Sequence, residues 1–426
     1  MPRIRFVHAA DLHLDTPFEG IAAPAPHVAE ALRDASLQAW DELVRLTLRR
    51  GASALFLAGD LYDGAQRGLR AQLRVMRGLV ELSQSGVRVF IVHGNHDPLD
   101  GWSAIREWPP GVHVFGDREV ETLPLDREGA TVAFVHGISY ARRDVRENLA
   151  RRFRRSAATG PQIGLLHASV GTSAEHAAYA PCALSDLQSS GLDYWALGHI
   201  HKREVLRAGD PWVVYPGNLQ GRSPKPSETG AKGAYVVELD TEASVFSSPE
   251  FVALDRVRFV ALPHDIEGST DLPGLLSQLD ARLRSAHDEH EGRGLLARVV
   301  LEGRGDVAAD LHRAGTLEHV ATELRERLET LAPFVWVESV INHTAGLIDL
   351  AAIRGRDEFS AAVLARAEQL AADEEALAAF VAERCSQLGV GQVGTEARLS
   401  SDEAPQETLA EALALVLDRL ERAEDE

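Results

Sequence analysis

Five short groups of histidine, aspartate and asparagine residues each follow an apolar run in the first half of the chain. In chain order they are DLH at 11–13, GD at 59–60, GNHD at 94–97, a single histidine at 167 and GHIH at 198–201. The apolar runs before them, such as SALFLA and VRVFIV, have the length and composition of buried strands. Helical patterns lie between several of these runs. This alternation predicts a layered α/β fold with functional side chains at the carboxyl ends of its strands.

The strand patterns later in the chain refine the predicted sheet arrangement. Two runs, PWVVYPGN and GAYVVELD, have no helical pattern between them, which favours a mixed sheet or two sheets packed face to face. After residue 250, three strand patterns separated by helical patterns at 273–287 and 317–331 predict a small α+β unit. Ala, Leu and Glu then dominate two helical stretches, 359–388 and 407–422, which either pack on the body or dock on a partner.

The charge of the chain is distributed unevenly. Residues 1–250 hold 27 Lys and Arg against 30 Asp and Glu, whereas residues 251–426 hold 17 against 34, so most of the net charge of −20 lies in the second half. The first half is therefore close to neutral, and bound cations would reverse its local sign where a phosphate must lie. Binding to nucleic acid is not excluded by the overall acidity.

The cysteine content and the lack of long apolar runs predict the cellular compartment of the protein. The two cysteines, Cys182 and Cys385, are far apart and support neither a disulfide framework nor a zinc-thiolate site. No apolar run is long enough to span a bilayer, and the first residues reach charged side chains too early for a signal peptide. We therefore expect a cytoplasmic protein with no membrane partner.

The five groups carry the donor atoms of a metal site. Asp11 and His13 are two residues apart, so on an extended strand end they point to the same side, and Asp60 follows a strand tip where its two oxygens can bridge ions. Mixed imidazole and carboxylate donors suit Mn²⁺, Fe or Zn²⁺ better than they suit Ca²⁺ or Mg²⁺, which prefer shells made only of oxygen ligands. There are too many donors for one ion, which predicts a two-metal site able to clamp a phosphodiester.

The ordered set DxH, GD, GNHD, lone histidine and GHxH resembles that of the calcineurin-like metallophosphoesterases. The segments YPGNLQGR at 215–222 and ETGAKG at 228–233 resemble the SbcD type of DNA repair exonuclease, and HAADLHLDTPF is similar to its YhaO branch. The resemblance covers about residues 4–240. It implies a four-layer α/β/β/α metallophosphoesterase sandwich for residues 1–250, with a small α+β cap domain at 251–350 and a helical C-terminal extension at 355–426.

The resemblance also implies roles for individual residues. It implies two divalent ions, with Mn²⁺ favoured and Fe, Zn²⁺ or Mg²⁺ as alternatives. One ion would be held by Asp11, His13, Asp60 and His201, and the other by Asp60, Asn95, His167 and His199. His96 would protonate or stabilise the leaving group. Asp63 resembles a carboxylate that orients this histidine, and the alternative is a plain loop or capping aspartate.

Two arginine groups are candidates for contacts with DNA phosphates. The helical spacing of four arginines predicts a helix with a basic face opposite an apolar one. The arginines are Arg67, Arg70, Arg74 and Arg77, and the apolar residues are Leu69, Leu73, Met76 and Val80. A second cluster begins with Arg142, Arg143 and Arg146 and continues through residues 151–155. Either group would bind phosphates without reading sequence. The alternative for both is a solvated surface.

Simpler roles are expected for the other polar and aromatic residues near the motifs. His8 and His93 are predicted to be packed or hydrogen-bonded, and Asp15 and Asp97 to brace loops. His136 and His176 have a structural role as the default and contact with substrate as the alternative. Core positions are predicted for Trp40, Trp195 and Trp212.

These observations favour a Mn²⁺-dependent DNA phosphodiesterase, either an exonuclease or an endonuclease, in DNA repair or DNA-end processing. The resemblance implies an SMC-like coiled-coil ATPase as partner, with the helices after residue 357 as the docking segment, and a homodimer is left open. One alternative keeps the site but assigns it a small phosphodiester, a nucleotide or a phosphoprotein. Another is a DNA-end or ATPase-regulating scaffold protein with incidental catalysis.

Overall fold

A computed structural model describes residues 3–18, 25–64, 68–101, 103–171, 179–290, 292–348, 350–355, 359–373, 376–377, 379–380 and seven positions between 409 and 420. Within these residues the chain divides into two compact units. The first comprises Met1–Pro263, Leu276–Val300 and Glu318–Ile341. The second comprises His264–Leu275, Leu301–Leu317 and Asn342–Glu426. The division into domains at residues 250 and 355 stays a prediction.

The strands follow the apolar runs of the sequence. In chain order they are β1 (Arg3–Ala9), β2 (Ala54–Ala58), β3 (Arg88–Val92), β4 (Val112–Val114), β5 (Glu121–Arg127), β6 (Ala130–Gly137), β7 (Gln162–His167), β8 (Tyr194–Gly198), β9 (Glu204–Arg207), β10 (Trp212–Tyr215), β11 (Gly233–Asp240), β12 (Val245–Phe246), β13 (Glu250–Ala253), β14 (Val257–Asp265), β15 (Gly294–Glu302) and β16 (Val335–Asn342).

The helices lie largely where the 3.6-residue periodicity predicts them. They are α1 (Pro26–Arg49), α2 (Leu69–Gln84), α3 (Leu184–Ser189), α4 (Leu272–Glu289), α5 (Ala308–Leu311), α6 (Thr316–Leu328), α7 (Leu350–Arg354) and α8 (Phe359–Ala371), with short 3₁₀ turns at Leu149–Arg152 and Pro226–Glu228. Most of the predicted stretch 407–422 lies outside the described residues. Along the part of the chain that is described, no helix combines the length and apolar character needed to cross a membrane.

Both large sheets are mixed, as the sequence predicts. In the described residues, the first sheet has the strand order β12-β11-β1-β2-β3-β4, with β13 also paired to β11, and the second has the order β5-β6-β7-β8-β10-β9. The central strands β1, β2 and β3 run parallel, as do β6, β7, β8 and β10. Parallel strands end at the same edge of a sheet, so the motifs that follow β1, β2 and β3 are brought together, and so are those of β7 and β8.

Side-chain alternation along the strands separates three apolar layers. On β1, Phe6 lies in the cluster between the two sheets, whereas Val7 lies in the cluster beneath α1 and α2, which includes Trp40. The outer face of the second sheet forms a third cluster with α3 and the turn at Leu149–Arg152, and it contains Trp195. The order helix, sheet, sheet, helix is the predicted four-layer α/β/β/α sandwich. Trp40 and Trp195 are fully buried, which confirms their predicted core positions, and Trp212 packs against the inter-sheet cluster.

The prediction for the apolar face of α2 was wrong. The helix buries Ala71, Val75 and Leu79 against the first sheet, while Leu69 and Leu73 are each 55% exposed. The small residues of α2 determine which face is buried. A Cβ on Gly78 would come within 2.7 Å of the Trp40 indole nitrogen, so α2 approaches α1 closely along the face that carries its small residues. The arginines of α2 therefore share the solvent side with a leucine stripe.

A third sheet, ordered β14-β15-β16, lies after residue 250 as predicted. Its residues Val257, Phe259 and Leu296 pack with Val28 and Leu32 of α1 inside the first unit. In the second unit, α7 and α8 pack through Ile353 and Leu364. The small α+β element and the first C-terminal helix thus occur where the sequence predicts them.

Phe6 is expected to be a main determinant of the packing between the two sheets, because its ring lies 4.9 Å from Phe56 and 5.2 Å from Tyr194. Phe6→Ala should lower the free energy of unfolding by about 3–5 kcal/mol, the usual cost of truncating a buried aromatic. Urea unfolding followed by fluorescence measures the change. The matched variant is Val245→Ala at a 59% exposed position, and an equally small loss for both would contradict the assignment.

Candidate metal centre

The edges of the two large sheets meet where the motif strands end. The backbone N–H of Asp11 donates to the Gly59 carbonyl (3.0 Å), and that of His13 donates to the Asp60 carbonyl (3.0 Å). From the second sheet, the His199 N–H donates to both oxygens of Asp11 (3.1 and 3.0 Å). Hydrogen bonds donated by main-chain N–H groups therefore join three motifs from distant parts of the chain.

Asp11, His13 and His201 form one group of donors. Their ligand atoms lie within 4.8 Å of one another, and the Nε2 atoms of His13 and His201 are 3.1 Å apart. Asp11 and His13 are buried, and His13 Nδ1 has no hydrogen-bond partner among the described residues. Two imidazole nitrogens converging on one buried point are typical of ligands that share a cation.

Asp60 lies between this group and a second one. Its Oδ2 is 4.0 Å from His13 Nε2 and 3.2 Å from His167 Nε2. Asn95 Oδ1 is 3.0 Å from the same His167 nitrogen, and the His199 ring centre lies 5.2 Å from that of His167. The structure therefore brings all seven predicted ligands to one place, with Asp60 in contact with both groups.

The donor set fits divalent cations. Asp11, Asp60 and His167 have donor atoms within 4.8 Å of one another and are buried. Buried carboxylates are unfavourable unless charges or hydrogen bonds balance them, and a divalent cation provides the strongest such balance. Imidazole, carboxylate and amide oxygen donors together match Mn²⁺, Fe or Zn²⁺.

The backbone at the predicted ligands is strained. Asp11, His13, Asp60 and His199 adopt positive φ values of 51°, 42°, 52° and 105°. Residues with a Cβ seldom adopt this region, and each instance costs on the order of 1–3 kcal/mol. Such strain persists only where the surrounding structure enforces it, here to turn side chains from the strand ends toward one point.

Two glycines of the motifs are required by close approach. A Cβ on Gly94 would lie 2.3 Å from Asp60 Oδ1 and 2.7 Å from His167 Nε2. A Cβ on Gly198 would lie 1.9 Å from the Ala58 carbonyl oxygen, where the two sheets touch. The glycine of GNHD thus makes room for the donors, and that of GHIH for the contact between the two sheets.

Asp97 braces the loops, as predicted. Its carboxylate accepts from the backbone N–H groups of Asp60 (3.2 Å), Leu61 (2.9 Å) and Gly94 (2.9 Å), and also contacts His93 Nδ1 at 3.0 Å. His93 is accordingly a hydrogen-bonded structural histidine. One buried carboxylate ties the GD and GNHD loops together.

His96 and Asp63 form a pair at the more open side of the site. Asp63 Oδ1 lies 2.5 Å from His96 Nδ1, and the two side chains are 28% and 30% exposed. The His96 N–H donates to Asp60 Oδ1 (2.8 Å), which fixes the loop relative to the central carboxylate. The pairing makes Nε2 the ring nitrogen that can face a substrate.

The charge of Asp60 affects the pKa values of His167 and His96. Burial lowers the pKa of His167, but the charge and hydrogen bond of Asp60, the charge of Asp11 and the hydrogen bond to the Ala58 carbonyl together raise it to about 9. Burial lowers the pKa of His96 as well, yet the hydrogen bond to Asp63 and the charge of Asp60 leave it raised. The carboxylates of Asp63 and Asp60 thus favour the protonated ring of His96.

The remaining histidines have structural partners where they are described. His8 lies between the sheets with Tyr194 Oη at 3.3 Å and the Leu197 carbonyl at 3.1 Å, and burial lowers its pKa to about 3. His136 contacts Thr122 and Gln162. These contacts confirm the structural interpretation of both. His176 lies outside the described residues.

The predicted DNA-contact arginines differ in whether they are paired with acidic side chains. Arg70 is paired with Asp15 (3.2 Å) and Asp34, and Arg74 with Asp41. Within the described part of the chain, Arg142 and Arg143 are exposed and make no hydrogen bond or ion pair. Arg67 falls outside the described residues.

Three polar residues in the site were not singled out from the sequence. Glu228 is buried with its Oε1 2.5 Å from His201 Nδ1, Arg222 donates to Asp63 (2.8 Å), and Lys232 donates to the His201 carbonyl (2.9 Å). All three belong to the segments that carried the SbcD-type resemblance. The signal was present as charged residues among glycines, but their partners are distant in sequence.

Two family models match the chain. The model described as calcineurin-like phosphoesterase matches residues 4–203, and the model described as the middle domain of metallophosphoesterase YhaO matches residues 259–345. The first match contains all five donor motifs, and the second covers most of β14 to β16.

Curated relatives agree with these matches. YhaO of Bacillus subtilis (strain 168), an uncharacterized metallophosphoesterase, is 36% identical over 337 residues that cover 78% of this chain and 80% of that protein. The DNA double-strand break repair protein Mre11 of Aeropyrum pernix is 28% identical over 252 residues, covering 55% and 58%. One subunit of the nuclease SbcCD of Rhodobacter capsulatus is 28% identical over 329 residues, covering 65% and 75%. With the donor motifs gathered at one site, these matches show that the chain belongs to the calcineurin-like metallophosphoesterases, hydrolases of phosphoester bonds.

Proposed function

We propose that the protein is a two-metal phosphodiesterase that cleaves DNA. The observation that carries the proposal is the convergence of seven donor side chains from five motifs beside a partly exposed, carboxylate-paired histidine. The names of two relatives, one a DNA double-strand break repair protein and the other part of a nuclease, support DNA as the substrate. Repair or DNA-end processing is the proposed role.

The proposed ligands divide around Asp60. Asp11, His13 and His201 would hold one ion, and Asn95, His167 and His199 the other, with Asp60 shared by both. Two divalent ions, proposed to be Mn²⁺, would draw charge from the phosphate and make water nucleophilic at neutral pH. The distances from Asp60 Oδ2 to His13 Nε2 (4.0 Å) and to His167 Nε2 (3.2 Å) support this division, as does the contact of Asn95 with His167 at 3.0 Å.

His96 is proposed to donate a proton to the leaving oxygen. Its Nδ1 contacts Asp63, which leaves Nε2 for the substrate, and its raised pKa favours the protonated ring. Asp63 holds the ring orientation and balances the charge of the imidazolium. General acid catalysis of this kind contributes roughly 10²–10⁴-fold.

Arg142 and Arg143 are the proposed contacts for the DNA backbone. They follow Tyr140, whose ring centre lies 5.6 Å from that of His167, so this loop leaves the sheet beside the site. Exposed arginines with no carboxylate partner can neutralise phosphates directly. Arg70 and Arg74 stay weaker candidates, because DNA would have to compete with their ion pairs.

The remaining proposals concern partners and domains. We propose a cap domain at 251–350, which the family match at 259–345 supports, and an SMC-like ATPase partner, which the naming of one relative as one subunit of a nuclease supports. The helices after residue 357 are the proposed docking segment, and much of that stretch lies outside the described residues.

Purified protein with Mn²⁺ is expected to cleave end-labelled linear or hairpin DNA. His96→Ala should reduce the cleavage rate by roughly 10²–10⁴-fold because the leaving oxygen then departs without a proton. Gel analysis of the labelled products measures both rates, and bis-p-nitrophenyl phosphate serves as a parallel substrate. The matched control is His113→Ala, a partly exposed histidine paired with Glu121.

Turnover of the small diester with DNA left intact would contradict the DNA proposal and favour a small-substrate enzyme. If neither substrate is cleaved, the phosphodiesterase proposal fails and the scaffold alternative is favoured. Equal loss in the His113→Ala control would contradict the role of His96.

The double variant Arg142→Ala/Arg143→Ala should weaken DNA binding and leave turnover of the small diester unchanged. Each lost phosphate contact reduces the dependence of log affinity on log salt by about 0.9, so the slope should fall by roughly 2. Fluorescence anisotropy across a salt series measures it. The control is Arg151→Ala/Arg152→Ala, in which both arginines are already paired with acids. Equal slopes for the two double variants would reject this contact.

A further inference from the structure

The segment from Asn218 to Lys232, between β10 and β11, contacts His201 directly and His96 through Asp63. It contains a 3₁₀ turn at Pro226–Glu228 and supplies no proposed metal ligand. Several of its polar side chains are buried, with Asn218 fully buried and Glu228 6% exposed. Burying polar groups is unfavourable unless each has a partner, so their partners indicate what the segment does.

Glu228 holds His201. Its Oε1 accepts from His201 Nδ1 at 2.5 Å, while its Oε2 accepts from Asn218 Nδ2 at 2.6 Å and from the Arg222 backbone N–H at 3.1 Å. Because Nδ1 donates to this carboxylate, the lone pair of the ring lies on Nε2, which faces His13 Nε2. A carboxylate behind a ligand imidazole fixes both its tautomer and its direction.

Arg222 holds Asp63 in the same manner. Its Nη1 donates to Asp63 Oδ2 at 2.8 Å, and the other oxygen of Asp63 contacts His96 Nδ1 at 2.5 Å. The Arg222 side chain is only 17% exposed, so this charge-assisted hydrogen bond is largely shielded from water. Both oxygens of Asp63 are thereby occupied, which leaves the carboxylate a single orientation.

The two chains of contacts meet at residue 222. Glu228 accepts a hydrogen bond from the backbone N–H of Arg222, and the side chain of Arg222 donates to Asp63. The turn between them is tight, since a Cβ on Gly221 would lie 2.4 Å from the Glu228 carbonyl oxygen. Lys232 closes the arrangement by donating to the carbonyls of His201 and Ser227. A displacement at either end therefore moves the other.

We propose that residues 218–232 form a clamp that positions two histidines at once: Glu228 orients His201 toward the metal, and Arg222, acting through Asp63, orients His96 toward the leaving oxygen. Glu228 and Arg222 are positioning residues, since neither is assigned a contact with the reacting atoms. The inference for Arg222 rests on the proposed role of His96, whereas that for Glu228 requires only the metal site.

Glu228→Ala should weaken binding of one of the two Mn²⁺ ions by roughly 10–100-fold and leave the other nearly unchanged. Isothermal titration calorimetry of the metal-free protein measures both affinities without any substrate. Glu228→Gln keeps the volume and one acceptor oxygen, so it should show a smaller loss and serves as the test if the alanine variant does not fold. The control is Glu204→Ala, at an exposed position. Two unchanged affinities in the Gln and Ala variants would overturn the role of Glu228.

Arg222→Ala should slow cleavage of a diester with an alkyl leaving group much more than cleavage of bis-p-nitrophenyl phosphate, because only the alkoxide needs a proton to depart. Arg222→Lys should restore part of the rate. In a His96→Ala background, Arg222→Ala should cause no further loss. The control is Arg118→Ala, also at an exposed position. An equal loss on both leaving groups, or an additive loss with His96→Ala, would overturn the role of Arg222.

These measurements separate the clamp from the wider proposal. If DNA is not cleaved but the metal affinities and leaving-group dependence change as expected, the clamp stands and the DNA substrate is wrong. If His96→Ala itself shows no leaving-group dependence, the assignment of His96 fails and the clamp reduces to its Glu228 half, which the metal titration decides.

Discussion

Burial of the carboxylates of Asp11 and Asp60 where the edges of two sheets meet is the constraint on which the rest of the site depends. A buried carboxylate requires balancing donors or cations. The backbone N–H of His199 provides them for Asp11, and that of His96 for Asp60, together with the Nε2 of His167 at 3.2 Å. Cations would complete the balance, because the Nε2 atoms of His13 and His201 also converge here, 3.1 Å apart. Strained backbone, close glycines and the bracing carboxylate of Asp97 are all consequences of holding these groups in place.

The four-layer packing makes that arrangement rigid. The inter-sheet cluster around Phe6 fixes the distance between β1–β3 and β7–β8, and so the distance between DLH, GD and GNHD on one side and His167 and GHIH on the other. Around this centre lies a second set of contacts from Arg222 and Glu228, which determine how the histidines are turned rather than where they lie. Positioning by a rigid scaffold and orientation by outer contacts are both needed for a site that acts on phosphodiesters.

The sequence predicted the fold class and the meeting of the donors because both follow from local patterns. Apolar runs of strand length ending in motif residues place those residues at strand ends, and parallel strands bring the ends together. It did not predict the buried face of α2, since Leu69 and Leu73 have a helical spacing that would equally suit burial, and the outcome depended on Gly78 fitting against Trp40. It also did not predict the pairing of Glu228 with His201 or of Arg222 with Asp63. These contacts span 27 and 159 positions and leave no periodic signal.

Anomalous diffraction at the manganese edge, on crystals of the protein grown with Mn²⁺, tests the two-metal assignment most directly. Two peaks are expected about 3.5–4 Å apart, the spacing of two-metal hydrolytic sites. One should lie among Asp11, His13 and His201 and the other among Asn95, His167 and His199, with Asp60 between them. A single peak, or peaks away from Asp60, would contradict the assignment.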